Sequence, residues 1–134
     1  MPSNNIVDVL IIGGGPAGLA IATGLARQLY TAIVFDSGFY RNRRTKHMHN
    51  VPTWDHEDPA AYRKKAHDDL LKRYNTIEFE NINLYSATKT AEGLFKLEDP
   101  GGTVWMGRKL ALAVGVQDVY PKIEGYGDCW ARGM

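Results

Sequence analysis

The chain has 134 residues, of which 44% are hydrophobic and 23% charged, a composition typical of a globular protein and a length that fits one domain over residues 1–134. Sixteen Lys and Arg against fifteen Asp and Glu leave a net charge of +1, which argues against nucleic acid or a membrane surface as a partner. Its one cysteine, Cys129, excludes an internal disulfide, a thiolate zinc cluster and a Cys-x-x-Cys pair within this chain.

The first elements are predicted to form a β-α-β unit. Val7–Ile12 is apolar except for Asp8, which suits a parallel strand buried on both faces. Three glycines end it, and Pro16 starts a helix predicted to continue through Leu29. The segment "TAIVFD", 31–36, is the second predicted parallel strand.

A long loop, a second helix and a meander complete the predicted fold. Residues 37–57 show no period, which favours a functional loop. A helix is predicted from the cap Asp58 to Asn75. Short strands are predicted at 77–80, 83–90, 94–98 and 103–106, and a buried parallel strand at 109–115. The predicted fold class is α/β, a Rossmann-like sheet with an antiparallel β-meander.

A dinucleotide fingerprint joins the first two strands. Gly13, Gly15 and Gly18 give Gly-x-Gly-x-x-Gly, and Asp36 follows eighteen residues later at the end of the second strand. The glycines allow a tight turn, a close pyrophosphate and helix–strand contact, while Asp36 can accept hydrogen bonds from a ribose diol. The Asp36 carboxylate disfavours NADP, because its charge repels a 2′-phosphate. The basic run that begins at Arg41 could offset this repulsion. The fingerprint alone does not distinguish NAD from FAD.

Several spaced motifs resemble the FAD domain of thioredoxin reductase-like pyridine nucleotide-disulfide oxidoreductases. They are "DVLIIGGGPAGLA", "VFDSGFYRN", "HMHNVPTWDH" and "GRKLALAVGVQDVYPKIEGYGDCWARG", and they look most like the dithiol oxidases that close disulfides in natural products such as gliotoxin and holomycin. The resemblance implies FAD as cofactor. The residues it implies in cofactor binding are Gly13, Gly15, Pro16, Ala17, Gly18, Asp36, Arg41, Asn50 and Gly115.

The resemblance also implies parts that this sequence lacks. Members of this family continue into a Cys-x-x-Cys pair and an NADPH domain, and neither is present. A lone thiol cannot cycle to an intramolecular disulfide, so Cys129 is expected to be a packing residue. Whether this chain alone is an enzyme is left open.

The histidine-rich loop supplies the catalytic candidates. These are His47, His49 and Trp54, which could line an open flavin cleft. His47, His49 and His56, with nearby acids, also resemble metal ligands, but no regular element is predicted beneath them, so no metal site is predicted.

Three functional hypotheses follow. The chain is the FAD-binding portion, or a shortened relative, of a flavin-dependent dithiol oxidoreductase of secondary metabolism. Alternatively, it is a cofactor-independent small-molecule binder, cyclase or isomerase, or a non-catalytic subunit completed by a companion chain or a second copy. We expect a small-molecule ligand and, since no apolar run could cross a bilayer, a cytoplasmic location.

Overall fold

A computed structural model describes residues 5–132. The strands are β1 (Val7–Ile12), β2 (Ala32–Phe35), β3 (Ile77–Glu80), β4 (Ser86–Lys89), β5 (Phe95–Glu98) and β6 (Val104–Leu112). The helices are α1 (Pro16–Arg27), α2 (Pro59–Arg73) and α3 (Tyr126–Cys129), and a short 3₁₀ turn spans Arg41–Arg44. None of the helices between residues 5 and 132 has the length and hydrophobicity needed to cross a membrane.

All six strands form one sheet in the order β3-β2-β1-β6-β5-β4. Strands β3, β2, β1 and β6 run parallel to one another. Strand β5 is antiparallel to both of its neighbours, β6 and β4. Leu10 of β1 lies in register between Ile33 of β2 and Leu110 of β6. The predicted fold, a Rossmann-like sheet with a meander, is confirmed.

The prediction of two strands at 103–106 and 109–115 is wrong, because β6 runs unbroken from Val104 to Leu112. Gly107 interrupts the apolar pattern but not the strand. A Cβ at this position would lie 2.6 Å from Leu10 Cγ, so the glycine allows β6 and the Leu10 side chain to pack closely. The strand pairs with β5 from Val104 to Gly107 and with β1 from Gly107 to Leu112.

Helix α1 ends two residues earlier than predicted. Leu29 lies outside the helix with a φ of 63°, in the left-handed region. Its N–H donates to Ala26 O, and Tyr30 N–H donates to Leu25 O, the two bonds of a Schellman C-cap. Glycine usually occupies the left-handed position, so a leucine there does not indicate the end of a helix.

Two hydrophobic cores cover the two faces of the sheet. On one face α1 and α2 pack over a cluster that includes Ile11, Val34 and Leu70. On the other face Phe35 packs edge-on against Trp105, with ring centroids 5.2 Å apart. Asp58 caps α2 as predicted, since its carboxylate accepts from the N–H groups of Ala60 and Ala61. Both faces of β1 and β2 are therefore packed, which fixes the carboxyl ends of these strands.

Candidate functional site

A cleft of about 950 Å³ opens where the carboxyl ends of β1, β2 and β6 meet. Strand β1 continues through α1 to β2 on one side and is flanked by β6, much later in the chain, on the other. This is a topological switch point, where ligands of open α/β sheets bind. The volume lies within the range of about 300–1,000 Å³ found for cofactor and small-molecule sites.

The glycine turn forms the floor of this cleft and is closely packed on its inner side. Gly13 has a φ of 118°, and a Cβ there would lie 2.1 Å from Ala113 O. A Cβ on Gly18 would lie 1.8 Å from Gly13 O. A Cβ on Gly15, in contrast, would meet nothing within 4 Å. The turn therefore has no space for side chains on its inner side but is open at Gly15, where a ligand can approach the backbone.

The amino-terminal end of α1 is suited to an anion. Gly15 is its cap residue and gives no side-chain hydrogen bond, and the first turn holds no acidic residue. The free N–H groups and the helix dipole at this end favour negative charge. A diphosphate fits this end of the helix by charge and by space.

Asp36 lies at the end of β2, directly against the turn. One of its carboxylate oxygens accepts from Gly38 N at 2.8 Å, and the other accepts from the Tyr40 hydroxyl at 2.5 Å. Burial, together with the hydrogen bond to Asp36, raises the pKa of Tyr40 to about 12, so this hydroxyl stays protonated as a donor. Each carboxylate oxygen can accept a second bond, which leaves capacity for a ribose diol. The carboxylate is thus held in place for a ligand.

Sequence reasoning missed Tyr40 as a residue of the site. The Arg63 guanidinium of α2 stacks on its ring, with 3.9 Å from the guanidinium carbon to the centroid. The only available signal was its place in "DSGFYRN", between Asp36 and Arg41. The tyrosine connects Asp36 to α2 and so positions the carboxylate.

The arginines after β2 all have partners within the protein. Arg41 forms a two-pronged ion pair with Asp118, at 3.0 and 3.1 Å, between residues 77 positions apart. Arg44 donates to Gly127 O at 2.7 Å, and the Arg43 guanidinium lies 3.8 Å from the Phe39 ring centroid. Through Arg41 and Arg44, the predicted basic run therefore connects the loop after β2 to the segment after β6. Both segments line the cleft.

The Arg41–Asp118 pair keeps its charges at neutral pH. The hydrogen bonds with Asp118 raise the pKa of Arg41, and the guanidinium lowers the pKa of Asp118. Because the pKa of Asp118 is lowered in the folded chain, its contribution to stability is present at neutral pH and is lost as the pH falls through that lowered value. Both side chains are solvent-accessible, so this contribution is small.

Most of the predicted cofactor residues come together at this cleft. Its lining includes Gly13, Gly15, Pro16, Ala17, Asp36, Arg41 and Gly115, and Gly18 is buried directly behind Gly13. Tyr120 and Trp130 also line it. Gly115 has a φ of 66°, so the turn after β6 also depends on a glycine.

The histidine-rich loop lies elsewhere. His47, His49, Asn50 and Trp54 are not among the residues that line the cleft. Trp54 packs edge-on against Tyr62 of α2, with ring centroids 5.6 Å apart. The proposed roles of these four residues in catalysis or flavin contact stay predictions.

The carboxyl-terminal part of the described chain exposes apolar side chains. Five of them follow one another from the end of β6, with 62–90% exposure: Leu112, Val114, Val116, Val119 and Ile123. Cys129 is exposed as well, so the prediction that it packs is wrong. The hypothesis that a companion chain completes the domain stays a prediction.

The sequence comparisons identify the family. Residues 7–133 match the profile of the pyridine nucleotide-disulphide oxidoreductases. The chain belongs to this family. This family is one of flavoproteins, and the resemblance given by the motifs is confirmed.

The relatives of this chain are longer than the chain itself. Thioredoxin reductase aclD of Aspergillus oryzae is 51% identical over 130 residues, 96% of this chain and 41% of that protein. Thioredoxin reductase tcpT of Claviceps purpurea is 48% identical over 135 residues, 100% of this chain and 42% of that protein. An oxidoreductase structure from Agrobacterium tumefaciens has a TM-score of 0.88 at 34% identity, covering 96% of this chain and 43% of that one. The chain thus spans about two fifths of the length of these relatives.

Proposed function

We propose that this chain is the FAD-binding portion of a thioredoxin reductase-like, flavin-dependent oxidoreductase. The observation that carries the proposal is the glycine turn, open at Gly15 and uncapped at α1, with Asp36 held beside it. The amide groups at the start of α1 would hold the diphosphate, and Asp36 would accept from the adenosine ribose. When bound, FAD supplies the electron-transfer chemistry, and the residues of this chain bind and orient it.

The charges around Asp36 favour FAD over NADP. A 2′-phosphate would lie against the Asp36 carboxylate, with like charges repelling. The sequence left open whether Arg41, Arg43 or Arg44 offsets that repulsion. Arg41 is paired with Asp118, Arg44 with a carbonyl oxygen, and Arg43 with an aromatic ring, so each is already engaged within the protein.

We propose that dithiol exchange is carried out by residues that are not part of the 134-residue sequence. An intramolecular disulfide requires two thiols, and the chain has one cysteine, Cys129. Its relatives are more than twice as long, which is consistent with this division of roles. The contribution of this chain is therefore to hold the cofactor.

Replacing Asp36 by asparagine tests the proposed ribose contact. We expect FAD affinity to fall by about 10- to 100-fold, since a hydrogen bond to a charged group is worth about 1.5–3 kcal/mol. The affinity for NADP⁺ relative to NAD⁺ should rise, because the repelling charge is gone. Isothermal titration calorimetry with FAD, NAD⁺ and NADP⁺ gives all three affinities.

The matched control is Glu78→Gln, which removes the same charge from an exposed residue of β3. This variant should bind FAD like the unmodified chain. If Asp36→Asn binds FAD as tightly as Glu78→Gln, Asp36 does not contact the ribose. If the unmodified chain binds NADP⁺ more tightly than FAD, the assignment of the cofactor is wrong.

A further inference from the structure

We propose that His49, Asp55 and His56 form a binding site for a divalent transition-metal ion of the zinc type. Each residue offers one ligand atom, and these atoms all lie within 4.8 Å of one another. All three side chains are exposed, so an ion can reach them from solvent. The site is separate from the cofactor cleft, whose lining includes none of the three.

The backbone of the loop brings the two histidines together. Met48 N–H donates to Glu57 O, and His56 N–H donates back to Met48 O, each at 2.8 Å. This reciprocal pair joins the two arms of the loop, so that the residues next to the junction lie side by side. The rings of His49 and His56 are 4.7 Å apart, centroid to centroid, at 85°. The sequence predicted no fixed element beneath these residues, and this backbone junction is what it could not reveal.

The carboxylate between the rings is also held in place. Asn50 N–H donates to Asp55 Oδ1 at 3.1 Å. His49 Nδ1 lies 3.3 Å from Asp55 Oδ1, and His56 Nε2 lies 3.4 Å from Asp55 Oδ2. In a tetrahedral zinc site with bonds of about 2.0–2.1 Å, neighbouring ligand atoms are about 3.4 Å apart. Each His–Asp distance is close to this spacing, although the two histidines approach different oxygens of Asp55. The three ligand atoms lie within 4.8 Å of one another, and rotation of the exposed side chains can bring them to the spacing of a zinc site.

The ligand types select the class of ion. Two imidazoles and one carboxylate suit Zn²⁺, Co²⁺, Ni²⁺ or Cu²⁺, whereas Mg²⁺ and Ca²⁺ prefer a shell of oxygen ligands. Three protein ligands leave a fourth position for water or for a donor atom of a small molecule. The site therefore has the ligand set of an open zinc centre.

The test is a titration of the untagged chain with Zn²⁺ by calorimetry and with Co²⁺ by visible absorbance. A Cys129→Ser background removes the exposed thiol as a competing ligand. We expect one ion per chain, the absorbance of a four- or five-coordinate Co²⁺ complex, and no binding of Mg²⁺ or Ca²⁺. His49→Ala and His56→Ala should each weaken Zn²⁺ binding at least about tenfold, since even outer-shell changes cost 10- to 100-fold.

Two further histidines serve as matched controls. His47→Ala alters the same loop outside the cluster. His67→Gln alters a histidine that pairs with Asp68 and is not a member of the cluster. Both should bind Zn²⁺ like the parent chain. Asp55→Asn keeps an acceptor for Asn50 N–H but removes the charge, and it should also weaken binding, with circular dichroism confirming the fold. Equal Zn²⁺ affinity in the parent and in either His49→Ala or His56→Ala would overturn the proposal, as would no measurable binding by the parent.

Discussion

Replacing Gly18 by alanine is expected to lower the free energy of unfolding by about 3 kcal/mol or more. The added Cβ would lie 1.8 Å from Gly13 O, which is a backbone atom and not the end of a flexible side chain. Gly13 cannot move aside, because it is itself packed against Ala113. Relief therefore requires α1 to move away from β1, which opens the core around Leu19 and Ile11. Overpacking of this kind typically costs about 1–3 kcal/mol and sometimes more.

Urea unfolding, followed by circular dichroism, measures this change, and Gly24→Ala is its matched control. Gly24 lies in the same helix, and its Cβ would meet nothing within 4 Å. This control should gain about 0.5–1 kcal/mol from the helix propensity of alanine. Equal stability of the two variants would show that α1 does not approach the turn as closely as described.

Replacing Gly15 by aspartate is expected to separate stability from cofactor binding. The side chain would enter open space, and Gly15 has the extended backbone of a helix cap, with φ −77° and ψ −173°. Aspartate is a strongly preferred cap and suits the helix dipole, so the free energy of unfolding should stay the same or rise. The carboxylate would occupy the N–H groups meant for the diphosphate and repel its charge. We expect FAD affinity to fall at least about hundredfold.

The control for this variant is Gly15→Asn, which caps the helix with a neutral side chain of similar shape. It should lose less FAD affinity than Gly15→Asp, and the difference between them measures the charge repulsion. Quenching of flavin fluorescence gives the affinities, and urea unfolding gives the stabilities. If Gly15→Asp binds FAD as tightly as the unmodified chain, the diphosphate does not lie at this helix end.

The first half of the fold could be predicted because its signals are local. The apolar run before Gly13, the proline at the start of α1 and the acid after β2 each act on neighbouring residues. Strand β6 was predicted as two strands because Gly107 interrupts its apolar pattern. The reason for this glycine is its contact with the Leu10 side chain, which is distant in sequence. The end of α1 was missed because Leu29 takes a conformation usual for glycine.

In the candidate site, too, the local features could be predicted and the long-range contacts could not. The glycine turn and Asp36 were predicted from spacing, since a diphosphate and a ribose need these groups at fixed positions along one βαβ unit. The pairing of Arg41 with Asp118 joins residues 77 positions apart, and no spacing rule connects them. The cluster of His49, Asp55 and His56 depends on backbone bonds across a loop, which a sequence pattern does not encode.

Binding of FAD at the glycine turn can be observed residue by residue in an amide NMR titration of the ¹⁵N-labelled chain with FAD. We expect saturable shifts of the amide signals of Gly14, Gly15, Ala17 and Gly18, together with that of Asp36. Gly24, further along α1, should stay unchanged. If saturating FAD leaves the four signals of the turn in place, or shifts only signals elsewhere, FAD does not bind at the glycine turn.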